Sequence, residues 1–430
     1  MSPDNPDNPD TPDTPGLRRE IGLFGATALG IGAIIGSGIF VVTGIVAGIA
    51  GPAMVLSILI AGIIAVFSAM SVAELAVYLP EEGGTYVYAQ KLISPFAGFL
   101  AGWIWVFSNI FVGAAVSLGF AQYFVTLFPQ VPVKAIAAAV CLAFIAINYR
   151  GLKESVLLNN LLVTVKVLIL LFFIAFGLGF FRPANFIPFS PAGPAGVLGG
   201  AALIFFAYTG FARVTLMAEE IHNPEKTIPR SIYLALAIST AIYLMVSIAA
   251  TGLAGTATLA HSGSPLAGAI AAAGSPGAVL LVSAGAMVAT ASVLLTTIMG
   301  ISRIVFSMAR SRDLPSLFDR IHPRFGTPHY AIAITGAAMM AALLLADLAL
   351  VVSVSTFAML VFYLIANLAA AKLPPEHRRY PRAIPVTGAL SCAGLMLFLS
   401  PASWAIGLTG LAAGGTWFFL RNRGSMQHGP

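Results

Sequence analysis

Long apolar runs separated by short polar connections give this chain its pattern. No charged residue occurs between Ile21 and Ala73, and comparable runs recur along most of the remaining sequence. A transmembrane α-helix needs about 20 apolar residues to cross a hydrocarbon core of about 30 Å. The pattern therefore predicts an all-α integral membrane protein. Its twelve predicted transmembrane helices begin near Ile21, Ala53, Phe96, Val133, Val156, Ala195, Ile228, Pro276, Tyr330, Leu348, Ile384 and Ser403.

Composition agrees with this fold class. Hydrophobic residues make up 58% of the 430 residues and charged residues only 9%, whereas soluble proteins carry roughly 25% charged residues. A transmembrane β-barrel would need strands of about ten residues with alternating hydrophobicity, and these runs do not alternate. Cys141 and Cys392 each lie in an apolar run, and the histidines lack metal-ligand spacing. We therefore expect no metal and no other cofactor.

The basic residues orient the predicted helices. With a cytoplasmic N-terminus, every Lys and Arg lies on the cytoplasmic side except Lys134, Lys166, Arg182 and Arg213. The positive-inside rule then places both termini in the cytoplasm of a multi-pass protein of the cell membrane. The formal charge of +6 reflects this topology, so we expect no nucleic-acid partner. The short loops indicate a prokaryotic protein.

A glycine-rich stretch, GIGAIIGSGIF, occupies the middle of the first predicted helix at residues 30–40. Each interior glycine costs a helix about 1 kcal/mol relative to alanine. An interruption at Gly36, Ser37 and Gly38 would expose backbone groups that cost several kcal/mol in lipid unless a cavity or ligand satisfies them. Simple GxxxG packing through Gly32 is the alternative. A dinucleotide-binding loop is excluded because the next acidic residue is Glu74.

A second such stretch, FFAYTGFAR, lies five helices later at residues 205–213. It also sits in the middle of a predicted helix and also carries glycine between aromatic residues. Two interrupted helices at corresponding positions of two halves indicate an inverted-repeat transporter with its binding site near the bilayer midplane.

Four stretches carry a resemblance to a known family: GAIIGSGIF, AELAVYLPEEGGTYVYAQK, FFAYTGFARVTLMAEEIHNPEKTIPRSI and SRIVFSMARSRDLP. In this order they make residues 17–423 similar to the amino acid, polyamine and organocation (APC) transporter superfamily. The resemblance implies a LeuT-like fold of two inverted repeats of five helices, with discontinuous helices 1 and 6. The implied divisions are a disordered cytoplasmic tail (1–16), the first repeat (17–182), the second repeat (183–373), peripheral helices 11 and 12 (374–423) and a cytoplasmic tail (424–430).

The resemblance also implies where an amino acid would bind. Its carboxylate would meet Ser37 and the amides near Gly36 and Gly38, at the N-terminus of a half-helix that attracts anions. Backbone carbonyls freed by the two interruptions would accept the ammonium group. They belong to Ile34, Phe206 and Thr209, next to Gly210.

The side-chain pocket implied by the same resemblance consists of Phe206, Tyr208, Phe211 and Asn109. Ala212 stands where family members that carry cationic substrates often place a carboxylate, so we expect neutral, mostly apolar amino acids. Simple packing is the alternative role for Phe211 and Asn109.

Lys166 is an unusual charge in the fifth predicted helix. It lies twelve residues beyond Glu154, or about 18 Å along a helix axis, which is too far for its side chain to return to the interface. A lysine at this depth costs about 2.5 to 3.5 kcal/mol, which indicates a functional role. Burial weakens its hold on the proton, so proton coupling is expected, with a permanent cationic strut as the alternative.

The resemblance to sodium-independent members of the superfamily implies that this ammonium replaces a sodium ion. Its neighbours would then be the carbonyls of Gly32 and Ile35 and the hydroxyls of Ser292 or Thr296, and no sodium site is expected. Arg213, in the sixth helix, is the other unusual charge. Glu74 is a possible partner for it, and a gate or a structural ion pair without substrate contact is expected in preference to direct substrate recognition, although the sequence does not fix this role.

These observations predict a secondary transporter that couples neutral L-amino acid symport to protons by alternating access. An exchanger or exporter of the same superfamily is the alternative. An intramembrane hydrolase would need a nucleophile and a base at depth, and no predicted helix carries a histidine in its middle. The expected partners are the amino acid and the lipid bilayer, and the oligomeric state stays open.

Overall fold

Helices dominate the structure, a computed structural model that describes residues 21–79, 83–151 and 156–426. The predicted tail at residues 1–16 lies outside this part of the chain. The predicted C-terminal tail lies partly outside it, and its first three residues, 424–426, continue the last helix instead. The α-helices of the described residues are α1 Leu23–Ile34, α2 Thr43–Ala50, α3 Met54–Tyr78, α4 Thr85–Leu92, α5 Pro95–Leu127, α6 Val133–Tyr149, α7 Val156–Gly179, α8 Gly193–Ile204, α9 Pro224–His261, α10 Pro265–Ala271, α11 Pro276–Arg310, α12 His329–Leu345, α13 Leu348–Ala371, α14 Ala383–Met396 and α15 Pro401–Met426.

Each predicted transmembrane start lies within four residues of a helix start in the structure. Local signals explain several of these positions. Ser94 caps α5 by accepting the N–H of Ala97, and Pro95 occupies the first turn, where its missing N–H costs nothing. The short helices α4 and α10 were not expected, because eight and seven residues between loops carry too little periodic signal.

The long helices have the length and composition of membrane spans. Seven segments of the described chain are apolar enough and long enough to cross a bilayer. They are Leu23–Tyr78, Pro95–Leu127, Asn160–Gly179, Gly193–Thr215, Pro224–His261, Pro276–Arg310 and Leu348–Ala371. Helices α6, α12 and α14 are apolar but shorter. The chain is therefore a multi-pass membrane protein, while the number of twelve crossings stays a prediction.

The interior of the bundle is built around the two glycine-rich stretches. Helix α1 packs against α7 and α9, and α5 lies between α11 and α13. Large apolar side chains such as Leu142, Leu168 and Leu390 are exposed on the outer surface. This arrangement is typical of a protein whose periphery contacts lipid, and it places the interrupted segments in the centre.

Candidate substrate site between the two interrupted helices

The first predicted helix is interrupted near its centre. Helix α1 ends at Ile34, and Ile35 takes an extended conformation with φ −76° and ψ 98°. After the bend at Ile35 and Gly36, Ser37 is again helical, and the chain continues as a π-helical turn over Gly38–Val42 and then as α2. π-Helical turns often occur at functional sites. The interruption lies where the glycine-rich stretch predicts one.

The sixth predicted helix changes type instead of unwinding. Helix α8 ends at Ile204, and the chain continues as a 3₁₀-helix over Phe205–Glu220. Runs of 3₁₀-helix longer than three or four residues are uncommon, because their hydrogen bonds have poorer geometry. The expected discontinuity is therefore present as a 16-residue segment of tighter winding.

The glycines let the two interrupted segments touch each other. A Cβ on Gly38 would lie 2.3 Å from the Cβ of Ala207, and a Cβ on Gly210 would lie 2.1 Å from the carbonyl oxygen of Ala33. Both distances are far below ordinary van der Waals contact. The glycines are thus required for the close packing of the two interrupted segments.

Two buried tyrosines hydrogen-bond to carbonyls of the interrupted segments. The Tyr243 hydroxyl lies 2.8 Å from the carbonyl oxygen of Ile34 and 3.2 Å from that of Ala207. The Tyr363 hydroxyl donates to the carbonyl oxygen of Thr209 over 2.7 Å. Sequence reasoning missed both tyrosines. Their only signal was a hydroxyl in the middle of an otherwise apolar run.

A cavity of about 60 Å³ lies between the interrupted segments. We name it the central cavity. Apolar side chains such as Val112 and Met359 form part of its lining. The predicted binding residues that line it are Ile34, Gly36, Ser37, Gly38, Asn109, Phe206, Thr209 and Gly210.

Tyr208 and Phe211 do not line the central cavity, which corrects the predicted side-chain pocket. The Tyr208 hydroxyl donates to the carbonyl oxygen of Ile58 over 3.2 Å, and the ring of Phe211 stacks on Tyr363 at 5.0 Å. The 3₁₀ winding explains this, because side chains three residues apart share a face. Residues of this segment that line the cavity follow the period in two rows, Phe206, Thr209, Ala212 and Thr215, and Ala207, Gly210 and Arg213, whereas Tyr208 and Phe211 belong to the third row.

Lys166 reaches the carboxyl end of α1. Its side chain is buried, and its Nζ lies 3.1 Å from the carbonyl oxygen of Gly32 and 3.4 Å from that of Ile35. Carbonyls in the last turn of a helix lack intrahelical donors, so an ammonium group satisfies them. The structure thus brings Lys166 together with two of its predicted neighbours, Gly32 and Ile35, at the first interruption.

Arg213 hydrogen-bonds to hydroxyl groups of α11. Its two terminal nitrogens donate to Thr296 Oγ1 over 2.6 Å and to Thr297 Oγ1 over 2.9 Å. The Thr296 hydroxyl, predicted as a neighbour of Lys166, is therefore engaged by Arg213. The predicted pair between Arg213 and Glu74 is wrong, because Glu74 instead accepts the backbone N–H groups of Arg379 and Tyr380.

A second cavity of about 190 Å³ adjoins the central cavity. We name it the lateral cavity. Its lining includes Ser292, Thr296 and Arg303 from α11. Residues that line both cavities are Ala33, Gly83, Trp105, Arg213 and Ile304. Arg213 is thus the charged residue at their junction, and no carboxylate side chain of the described residues lines either cavity.

Tyr86, in the short helix α4, connects the central cavity to the C-terminal helix. It lines the cavity, and its hydroxyl donates to Asp313 Oδ2 over 2.6 Å. Asp313 also forms an ion pair with Arg421 of α15. Burial, and then the hydrogen bond to Asp313, raise the pKa of Tyr86 to about 12. The hydroxyl therefore stays protonated at physiological pH and remains a donor.

Comparison with known proteins gives one family and several full-length relatives. The model of the amino acid permease family matches residues 21–419. A methylthioribose transporter of Bacillus subtilis is 34% identical over 434 residues, covering 95% of this chain and 94% of its own. A branched-chain amino acid permease of the same bacterium is 32% identical over 438 residues, with the same coverage. An uncharacterized transporter of Mycobacterium tuberculosis is 37% identical over 400 residues, 93% of this chain and 90% of its own.

Proposed function

The chain belongs to the amino acid permease family, within the APC superfamily, and we propose that it imports neutral L-amino acids by proton symport. Family membership makes it a multi-pass membrane transporter and not an enzyme. Our proposal adds twelve crossings, cytoplasmic termini, a LeuT-like inverted repeat and alternating access. The observation that carries the proposal is the central cavity enclosed by two interrupted helices, with Lys166 bonded to the end of one of them.

The backbone around the cavity suits both charges of an amino acid. Gly36, Ser37 and Gly38 lie at the start of a new helical segment, whose first N–H groups have no intrahelical acceptor and attract a carboxylate. The carbonyl of Ile34, at the end of α1, accepts the Tyr243 hydroxyl. A carbonyl oxygen has two lone pairs, so it retains one for an ammonium group.

The size and lining of the cavity favour small neutral substrates. A cavity needs about 10 to 15 Å³ of volume to hold one water molecule. The volume of about 60 Å³ therefore holds roughly four to six non-hydrogen atoms, which matches glycine or alanine. No carboxylate side chain of the described lining would pair with a cationic side chain, and burying an unpaired charge is costly.

Lys166 is the proposed coupling residue. Its ammonium form is stabilised by the carbonyls of Gly32 and Ile35, which lie at the interruption of the first helix. If the two halves of that helix move apart during alternating access, the lysine loses these two acceptors while it stays shielded from bulk water. A buried ammonium that loses acceptors holds its proton less tightly. Each transport cycle would then carry one proton with the amino acid.

The test is uptake of labelled alanine into proteoliposomes under an inward proton gradient, with and without sodium. We expect uptake to follow the gradient and to ignore sodium. Lys166→Ala should lower gradient-driven uptake at least tenfold. Lys134→Ala is the matched control, because Lys134 also donates to a backbone carbonyl, that of Leu344, but is exposed and lines neither cavity.

Lys166→Arg separates proton coupling from a permanent strut. Arginine keeps its charge at every physiological pH. Proton coupling through Lys166 predicts that this variant loses its response to the proton gradient. If Lys166 serves only as a fixed positive charge, the variant keeps that response. Sodium-dependent uptake would contradict the proposal, and exchange without net uptake would support the exchanger instead. Uptake of methylthioribose in preference to alanine would overturn the proposed substrate class.

A further inference from the structure

Two cationic side chains, Arg213 and Arg303, line the lateral cavity. The ion pairs found in the part of the chain that the structure describes are Arg379 with Glu225 and Arg421 with Asp313. Within that part, the positive charge of the lateral cavity is therefore not balanced by a carboxylate.

Arg213 cannot relieve this imbalance by losing its proton. A guanidinium stays charged in proteins and carries five N–H donors. Arg213 uses donors from its two terminal nitrogens on the neutral hydroxyls of Thr296 and Thr297. Charges at membrane depth are normally paired or face a cavity that supplies a partner. The remaining donors of Arg213 are therefore available to an anion at the junction of the two cavities.

We propose that Arg213 forms a second carboxylate site, which binds the carboxylate of the amino acid as it moves between the central and lateral cavities. This inference rests on the proposed function. A carboxylate matches the planar fork of a guanidinium in size and geometry and can accept two parallel hydrogen bonds. Because Arg213 lines both cavities, a substrate that leaves Gly36, Ser37 and Gly38 meets this charge next.

The lateral cavity can hold a whole amino acid beside Arg213. Its volume of about 190 Å³ is three times that of the central cavity. Hydroxyl-bearing residues, Ser292, Thr296 and Ser307, contribute to its lining. Their oxygens can accept hydrogen bonds from an ammonium group. The site thus recognises an α-amino acid chiefly through its carboxylate, and a molecule without a carboxylate gains nothing from Arg213.

The test measures how fast phenylglyoxal modifies Arg213 in the full-length protein in lipid nanodiscs, read by peptide mass spectrometry. Propionate, alanine, ethylamine and chloride are compared at equal concentration and ionic strength. We expect propionate and alanine each to slow modification of Arg213 at least threefold, and ethylamine and chloride to leave it unchanged. Arg310 is the internal control, because it is an exposed arginine of α11, the helix to which Arg213 donates its hydrogen bonds, and it lines neither cavity.

The outcomes separate this inference from the proposed function. Protection by neither propionate nor alanine, in protein that takes up alanine, would refute the carboxylate site and leave the proposed function intact. Protection by propionate alone, in protein that takes up no alanine, would refute the proposed function and with it the amino acid as occupant. Equal protection by chloride would show a general anion site and overturn the carboxylate assignment.

A variant pair gives a second measurement. Arg213→Gln removes the charge at the junction of the two cavities, and Arg310→Gln removes an exposed charge of α11 outside both cavities. We expect propionate to inhibit alanine transport in the wild type and in Arg310→Gln, with at least threefold weaker inhibition in Arg213→Gln. Unchanged inhibition in Arg213→Gln would contradict the proposal, as would equal weakening in both variants.

Discussion

Replacing Gly210 with alanine tests the contact between the two interrupted segments. The new Cβ would lie 2.1 Å from the carbonyl oxygen of Ala33 and 2.7 Å from the backbone nitrogen of Ile34. Ordinary van der Waals contact begins at 3.4 Å, so the segments would have to separate by about 1.3 Å (3.4 minus 2.1). Both contacting atoms belong to the backbone, and neither can move away by changing a rotamer.

The cost follows from this overlap. Overpacking a buried site typically costs about 1 to 3 kcal/mol, and a clash of backbone atoms lies at the upper end of that range. Alanine regains up to about 1 kcal/mol through its better helix propensity. The net loss of about 1 to 2 kcal/mol of folding free energy corresponds to roughly a 5- to 30-fold change in the ratio of folded to unfolded protein. Gly38→Ala should behave alike, because its Cβ would meet Ala207 at 2.3 Å.

The assay combines the melting temperature in detergent with alanine uptake at matched protein amounts. Gly394→Ala is the control, because no atom lies within 4 Å of its added Cβ in α14. We expect Gly210→Ala to melt at a lower temperature and to transport alanine more slowly, because the clash displaces Gly210 and Ala33, which both line the central cavity. Gly394→Ala should match the wild type. Equal behaviour of the two variants would refute the close-packing explanation for the glycines.

Three further predictions concern hydrogen bonds around the site. Tyr363→Phe removes the donor to the Thr209 carbonyl and should lower stability by about 1 to 3 kcal/mol, seen as a lower melting temperature. The pKa of Tyr86 is raised above its unfolded value of 10 to about 12, so its contribution to stability is complete below pH 10 and is lost as the pH rises towards 12. Tyr86→Phe should therefore flatten the melting curve against pH in that window, and an identical curve would contradict the Asp313 contact. Glu74→Ala should destabilise more than Glu74→Gln, which keeps an acceptor for the backbone N–H groups, whereas equal melting temperatures would contradict this role.

Helix positions could be predicted from sequence because they depend on local properties. Apolar runs, proline and charge clusters mark the helix starts, and the glycines at residues 36 and 38 mark the first interruption. The place of Lys166 near the first interruption could also be anticipated, since its depth follows from counting residues along a helix and its neighbours from a family resemblance. These features need no knowledge of how the helices rotate against one another.

The inward faces of the helices could not be predicted in the same way. The sequence does not reveal that the chain after Ile204 winds as a 3₁₀-helix, and this winding turns Tyr208 and Phe211 away from the cavity. Partners distant in sequence were also missed. Arg213 bonds to α11 instead of Glu74, and the choice depends on packing among helices that no local pattern encodes.

The bond between Tyr243 and the Ile34 carbonyl has a consequence for how the protein is made. The two residues are 209 positions apart. At a synthesis rate of about 5 to 20 residues per second, the tyrosine leaves the ribosome roughly 10 to 40 seconds after the carbonyl it satisfies. During that interval the Ile34 carbonyl cannot yet accept the Tyr243 hydroxyl. The first helix can therefore complete its hydrogen bonding only after the helix that carries Tyr243 has been synthesised.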